Sequence, residues 1–192
     1  MTSPTDTRAH FFDALGQAEK LILATPADHA GDPTPCDEWT VHQLVEHMIG
    51  VVRRVGTALQ GAPMTGLVDF TSTQWAQDLA GERTRTTAVL GDDAVLEREL
   101  TVPWGTTTGA RAIDAWAAEL TAHSWDLAKA TGRVADLDTE LGRRALAIQQ
   151  HRLPPGPREG IPFDSPIDVA SDDPYARLAG WLGRDPEWSA GR

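Results

Sequence analysis

The chain has 192 residues, with 17 Lys and Arg against 28 Asp and Glu, giving a formal charge of −11. A hydrophobic content of 41% suits one globular domain with a small appendage, while a pI near 4.8 speaks against binding a nucleic-acid backbone, which requires clustered Lys and Arg. No apolar run approaches the ~20 residues of a bilayer span, and the single cysteine, Cys36, rules out an intramolecular disulfide or a cysteine-based zinc knuckle.

The first predicted helix runs from about Thr7 to Ala24, with Phe11, Phe12, Leu15, Ala18, Ile22 and Leu23 at helical spacing. A loop around Pro26, Gly31 and Asp32–Pro35 follows. The second helix covers Val41–Leu59 and opens on Thr40 with Gln43 three residues on, a capping-box pattern. Its stripe is Val41, Leu44, Val45, Met48, Val52, Val55 and Leu59, and Gly61–Pro63 ends it. A third helix spans Ser72–Leu90, with a weaker stripe of Trp75, Leu79, Thr86, Val89 and Leu90. An extended segment is expected over Glu97–Gly105, kept to an edge or loop by Pro103. The fourth helix, Ala110–Ala130, carries Ile113, Trp116, Ala117, Leu120, Leu127 and Ala128 on one face and stops at Gly132. A fifth follows over Asp138–Gln150, and a short one over Pro174–Leu182 lies within a Pro- and Gly-rich ending. These elements predict an all-α fold: a four-helix bundle with an additional helix over residues 1–152, and a Pro-rich extension over 153–192 packed on it.

With one cysteine, a metal site must draw on His, Asp and Glu. Glu119 and His123 are four apart, so both rise from one face of the fourth helix, at the edge of its apolar stripe. Such pairs are also common on solvated faces. Among the six histidines, His10, His29 and His151 are expected near helix ends or in loops, exposed to water. His42 shares an edge of the second helix with Glu46 and Arg53, a polar surface row. His47 lies on the opposite edge, beside Leu44, Val51 and Ala58, either as a hydrogen-bonded, partly buried histidine or as a ligand pointing to a neighbouring helix. If the second and fourth helices are neighbours, His47, Glu119 and His123 converge. Two imidazoles and a carboxylate leave positions open, the pattern of catalytic zinc, and the same set suits iron, nickel or manganese. Asp126, on the strip of His123, is either an orienting partner or a surface residue. Cys36 and Trp39, beside the Thr40 cap, read as packing residues, with Asp37 and Glu38 opposing a reactive thiol. Trp125 reads as packing, and Trp75, Trp104 and Trp116 as core or pocket wall.

The run Pro33–His47 resembles the opening motif of the mycothiol-dependent maleylpyruvate isomerase N-terminal domain group, and Glu119–Gly132 is similar to its second motif. That group belongs to the DinB/YfiT-like superfamily of metal-binding four-helix bundles. The ending, Asp173–Trp188, resembles that of an actinobacterial branch. The resemblance implies a DinB-like bundle holding a divalent metal, usually zinc, through His47, Glu119 and His123. It further implies a low-molecular-weight thiol, mycothiol, as co-substrate, activated by the metal for S-transfer to a small electrophile or for isomerisation. The maleylpyruvate isomerase has a further C-terminal domain where this sequence has a short tail, so that particular substrate is not expected. A non-catalytic metal-binding or stress-linked sensor protein is the alternative. The implied partners are the small thiol and electrophile, with neither nucleic acid nor membrane, in a cytoplasmic protein compatible with a homodimer.

Overall fold

The computed structural model describes residues 6–36, 39–62, 64, 70–72 and 74–190; Asp37, Glu38 and Pro63 lie outside them. The chain begins with α1 (Thr7–Leu23), where the Asp6 carboxylate caps the Arg8 amide. Phe11, Leu15, Ala18 and Ile22 are buried as their spacing predicts, but Leu23 is 57% exposed, one position past the buried strip. Helix α2 (Val41–Leu59) has the full capping box, with the Thr40 hydroxyl accepting from the Gln43 amide and the Gln43 side chain accepting from the Thr40 amide.

Helix α3 (Trp75–Leu90) starts later than the spacing predicts. Ser72 is not its cap. Its hydroxyl donates to Asp78 and its amide to Glu46, at 2.6 and 2.7 Å, so it ties the incoming loop to α2. A short turn, α4 (Ala94–Glu97), leads into a hairpin: β1 (Glu99–Val102) pairs antiparallel with β2 (Gly105–Thr108), Leu100 opposite Thr107. The hairpin is a correction to the single extended segment. Leu100 and Val102 announce the first strand by alternation, whereas the Gly-Thr-Thr-Thr run of the second has no apolar rhythm to read.

Helix α5 (Gly109–Thr131) is the axis of the molecule; Thr108 caps it and Gly132, at φ 69, ends it in the left-handed conformation. Helices α6 (Thr139–Arg152) and α7 (Pro174–Trp181) start at the caps Asp138 and Asp173. The architecture is helical, as predicted. Helices α1, α2 and α3 pack with α5 around a large apolar cluster that includes Leu15, Met48, Val52, Trp116 and Leu120. On its other flank α5 meets α6 and α7 through Ala122, Trp125, Leu146, Tyr175 and Leu178. Because α5 serves both clusters, almost its whole circumference is buried. Arg158, 6% exposed, donates to the carbonyls of Pro154, Asp164 and Trp181 and gathers the chain between α6 and α7. Among the described residues no helix is long and apolar enough to cross a membrane.

Candidate metal centre

Helices α2 and α5 are in contact, and their polar edges meet where His47 faces Glu119. His47 Nε2 lies 3.0 Å from Glu119 Oε1, and the two side chains are 21% and 20% exposed. The His47 and His123 rings stand edge to face with centroids 4.7 Å apart. One ligand-type atom from each of His47, Glu119 and His123 falls within 4.8 Å of the others, a group that could hold a metal ion. His42, on the other edge of α2, pairs instead with Glu46 at 3.1 Å and lies beside the Trp75 ring.

Charge at the centre is governed by burial and by two arginines. Burial holds the His47 imidazole down to about 4, with the neighbouring His123 adding to the effect against the pull of Glu119. His47 is therefore neutral near pH 7, the state a metal ligand requires. Burial pushes the Glu119 carboxyl up, but the hydrogen bond from His47 and the charge of Arg54 outweigh it and hold the group near 2. An ionised carboxylate only accepts, so His47 Nε2 carries the proton between them. Arg54 Nη2 donates to the same Glu119 oxygen at 3.1 Å.

His123 is fixed from behind. Its Nδ1 lies 2.9 Å from Asp126 Oδ2, and Asp126 is fully buried. Burial raises the Asp126 carboxyl, yet Arg184 and His123 outweigh it and keep it below the usual carboxylate range. Nδ1 therefore donates, and Nε2 is the ring atom left for a further partner. Arg184 reaches Asp126 from beyond α7, with Nε 2.8 Å from Oδ1. Trp39 lies over both imidazoles, its ring 4.6 Å from that of His47 and 5.8 Å from that of His123. Its packing, expected from the sequence, is thus on the two rings of the centre.

Cys36, His123 and Asp126 form a second group of ligand-type atoms within 4.8 Å. There Asp126 is already committed to Arg184 and to the His123 N–H, and Arg184 Nη2 also lies 3.8 Å from Cys36 Sγ. Arg184 engages both oxygens of Asp126, whereas the hydrogen bonds from His47 and Arg54 both fall on Oε1 of Glu119, so the group containing His47 and Glu119 is the better cation site.

Other expectations divide. His10 is not exposed to water: it is 1% exposed, on the buried face of α1, with Nδ1 3.0 Å from Asp114. His29 pairs with Asp32 at 2.8 Å, and His151 is exposed. Asp126 is wholly internal, not a surface residue. Trp116 and Trp125 are core residues, but Trp104 is 44% exposed and carries the Arg152 guanidinium 4.8 Å from its ring. Arg54 and Arg184 were missed. Arg54 follows His47 by seven residues, two helical turns, a spacing that could have marked it; no local signal places Arg184 here.

Residues 12–128 match the family described as the mycothiol maleylpyruvate isomerase N-terminal domain. The chain belongs to that family. The match contains α2, most of α5 and all of His47, Glu119 and His123, and stops short of the segment bearing Arg184. Two relatives, the uncharacterized proteins Rv0738 and MT0763 of Mycobacterium tuberculosis, are each 33% identical over 173 residues, covering 85% of this chain and 90% of theirs. No solved structure matches at a significant level.

Proposed function

We propose that this member of the family binds a divalent metal through His47, Glu119 and His123 and works as a thiol-dependent S-transferase or isomerase of small electrophiles. The observation that carries the reading is the meeting of these three side chains, from two helices, within 4.8 Å. Two imidazoles and one carboxylate suit zinc with positions left open, and nickel, iron or manganese accept the same donors. The chemistry of the set fits: His47 is neutral, Glu119 is ionised, and His123 keeps one ring nitrogen uncommitted. In this reading residues 1–152 are the metal-binding bundle and 153–192 an extension of it. The family supports mycothiol as the thiol, and the protein would act in the cytoplasm, where thiols stay reduced.

When bound, the metal would supply the deprotonation of the thiol near neutral pH. The chain does the rest. Arg54 holds Glu119 Oε1 in place and keeps the carboxyl ionised. Neutral His47 would offer Nε2 to the cation by carrying its single ring proton on Nδ1 instead, a change of tautomer with no net proton release. Asp126 holds the proton on His123 Nδ1, and Trp39 shields both rings from water.

The second reading, a metal-binding protein without catalysis in a stress-linked or sensor role, is favoured by one observation. A cavity of about 520 Å³, lined by Ile22, Thr25, Ala30, His42, Ser72 and Trp75 among others, opens on the His42 edge of α2, away from the His47 edge. Assay of mycothiol conjugation across varied electrophiles separates the two. Turnover in the zinc-loaded protein, lost in His123→Ala, supports the enzyme. Stoichiometric zinc with no conjugation of any electrophile supports the binding protein.

A further inference from the structure

The ending Asp173–Trp188 contributes no member of the ligand set, yet it terminates against the candidate centre. Helix α7 closes in a Schellman turn: the Arg184 N–H bonds to Ala179 O at 2.9 Å and the Gly183 N–H to Gly180 O at 3.0 Å. Gly183 has φ +82, and a Cβ there would fall 2.4 Å from Asp164 Cβ and 3.0 Å from its backbone, so the turn needs glycine. It directs the Arg184 side chain back onto α5. There Nε donates to Asp126 Oδ1 at 2.8 Å and Nη2 to Oδ2 at 3.0 Å, a two-pronged grip. The same Oδ2 accepts the His123 Nδ1 proton at 2.9 Å. Farther on, Lys129 Nζ holds Pro186 O at 3.0 Å, and Trp188 packs on the larger apolar cluster. The segment is therefore pinned on both sides of Arg184.

We propose that Arg184 is a positioning residue for the metal centre: through Asp126 it fixes the His123 ring with Nε2 presented to His47 and Glu119, and so the C-terminal segment sets how tightly the metal is held. The inference rests on the metal reading above and names a determinant outside residues 12–128, the part matched by the family. A carboxylate held by one imidazole alone can turn about two side-chain bonds. The planar guanidinium fork removes that freedom and supplies the counter-charge that a buried carboxylate needs. Loss of such an outer partner typically weakens metal binding about 10–100-fold.

The test is zinc affinity of the full chain by competition with a chromophoric chelator, with the visible spectrum of the cobalt(II) form as a second readout. Arg184→Gln is expected to weaken zinc about 10–100-fold and to change the cobalt spectrum. Arg184→Lys recovers only part, since an ammonium is a point charge and not a fork. Asp126→Ala combined with Arg184→Ala orphans no buried charge, so it folds and still binds zinc weakly. Tyr175→Phe, which loosens the contact of α7 with Gln17 and touches neither Asp126 nor Arg184 by any hydrogen bond, retains wild-type affinity. In the metal-free protein, nitrogen NMR is expected to read His123 as one fixed tautomer, proton on Nδ1, and as a mixture in Arg184→Gln, which keeps Asp126. Wild-type affinity and spectrum in Arg184→Gln and in the double variant overturn the inference. Equal weakening by Tyr175→Phe also overturns it, leaving only a fastening of the tail. A wild-type protein that takes up no zinc sinks the metal reading itself, and the tautomer measurement then decides separately whether Arg184 orients the ring.

Discussion

Two buried histidines, His10 on α1 and His123 on α5, are each held by an aspartate of α5 that an arginine grips in turn. His10 Nδ1 meets Asp114 at 3.0 Å, and Arg144 grips Asp114 at 3.2 Å. His123 Nδ1 meets Asp126 at 2.9 Å, and Arg184 grips Asp126 at 2.8 Å. The two aspartates are 12 residues apart on one helix, about 18 Å of rise. What differs is the space beyond each ring. His10 Nε2 is buried with no hydrogen-bond partner among the described residues, whereas His123 faces a second imidazole and a carboxylate. A His–Asp–Arg chain is thus a way to fix an imidazole inside a protein, and it becomes a candidate site only where the far nitrogen meets further donors.

The comparison breaks or sharpens under substitution. The largest effect is expected from His123→Ala, which should leave less than about a tenth of the wild-type zinc on the purified protein, by elemental analysis, since one of the three proposed ligands is gone. His10→Ala should retain full zinc; metal loss there would erase the distinction between the two histidines. Its cost is in stability, about 1–3 kcal/mol in urea unfolding, from the cavity and the lost Asp114 contact.

Acid titration of the metal-free protein sharpens the other half. His47 is held at about 4, below its ordinary 6.5. As pH falls through 6.5 the unfolded chain takes up a proton that the folded chain refuses. Stability from this group is therefore intact above pH 6.5, declines between 6.5 and 4, and falls no further below 4. Glu119, held near 2 against an ordinary 4.5, stabilises above pH 4.5, and that contribution declines as pH falls towards 2. His47→Gln should abolish the upper window, and since it also removes the hydrogen bond to Glu119, it should narrow the lower one. An unaltered pH profile would show that His47 is not buried against Glu119. The smallest effect is that of Thr40→Ala, about 1 kcal/mol from the lost cap of α2, with zinc stoichiometry unchanged; metal loss there would mean that His47 depends on the cap and not on its packing against α5.

Much of this was legible because helices advertise themselves by period. Val41–Leu59 and the Thr40 box are in the structure as read, and the helical wheel separated His47 from His42 before any contact was known. Periodicity failed where side chains serve loops instead of faces. Ser72 looks like a cap but anchors the loop to Glu46 and Asp78, and Thr106–Thr108 form a strand without an apolar rhythm. It failed also for His10, whose position near a helix start suggested solvent while α5 covers it, and for Leu23, which has the right residue type on the wrong side of the strip.

The sequence by itself determined the long helices, the Thr40 and Gly132 caps, the absence of any thiolate-rich metal site, and the placing of Glu119 and His123 on one helix face, because each depends on neighbours within a few residues or on composition. Only the tertiary structure decided that His47 faces that pair, that Arg54 and Arg184 grip the two carboxylates, and that Trp39 covers the rings. Those contacts join residues 65 to 72 positions apart across α2 and α5 and 58 apart across α5 and the tail, separations at which no local spacing rule operates. They are fixed by how apolar faces bury against α5, and the polar groups at the edges of those faces are carried into register with them.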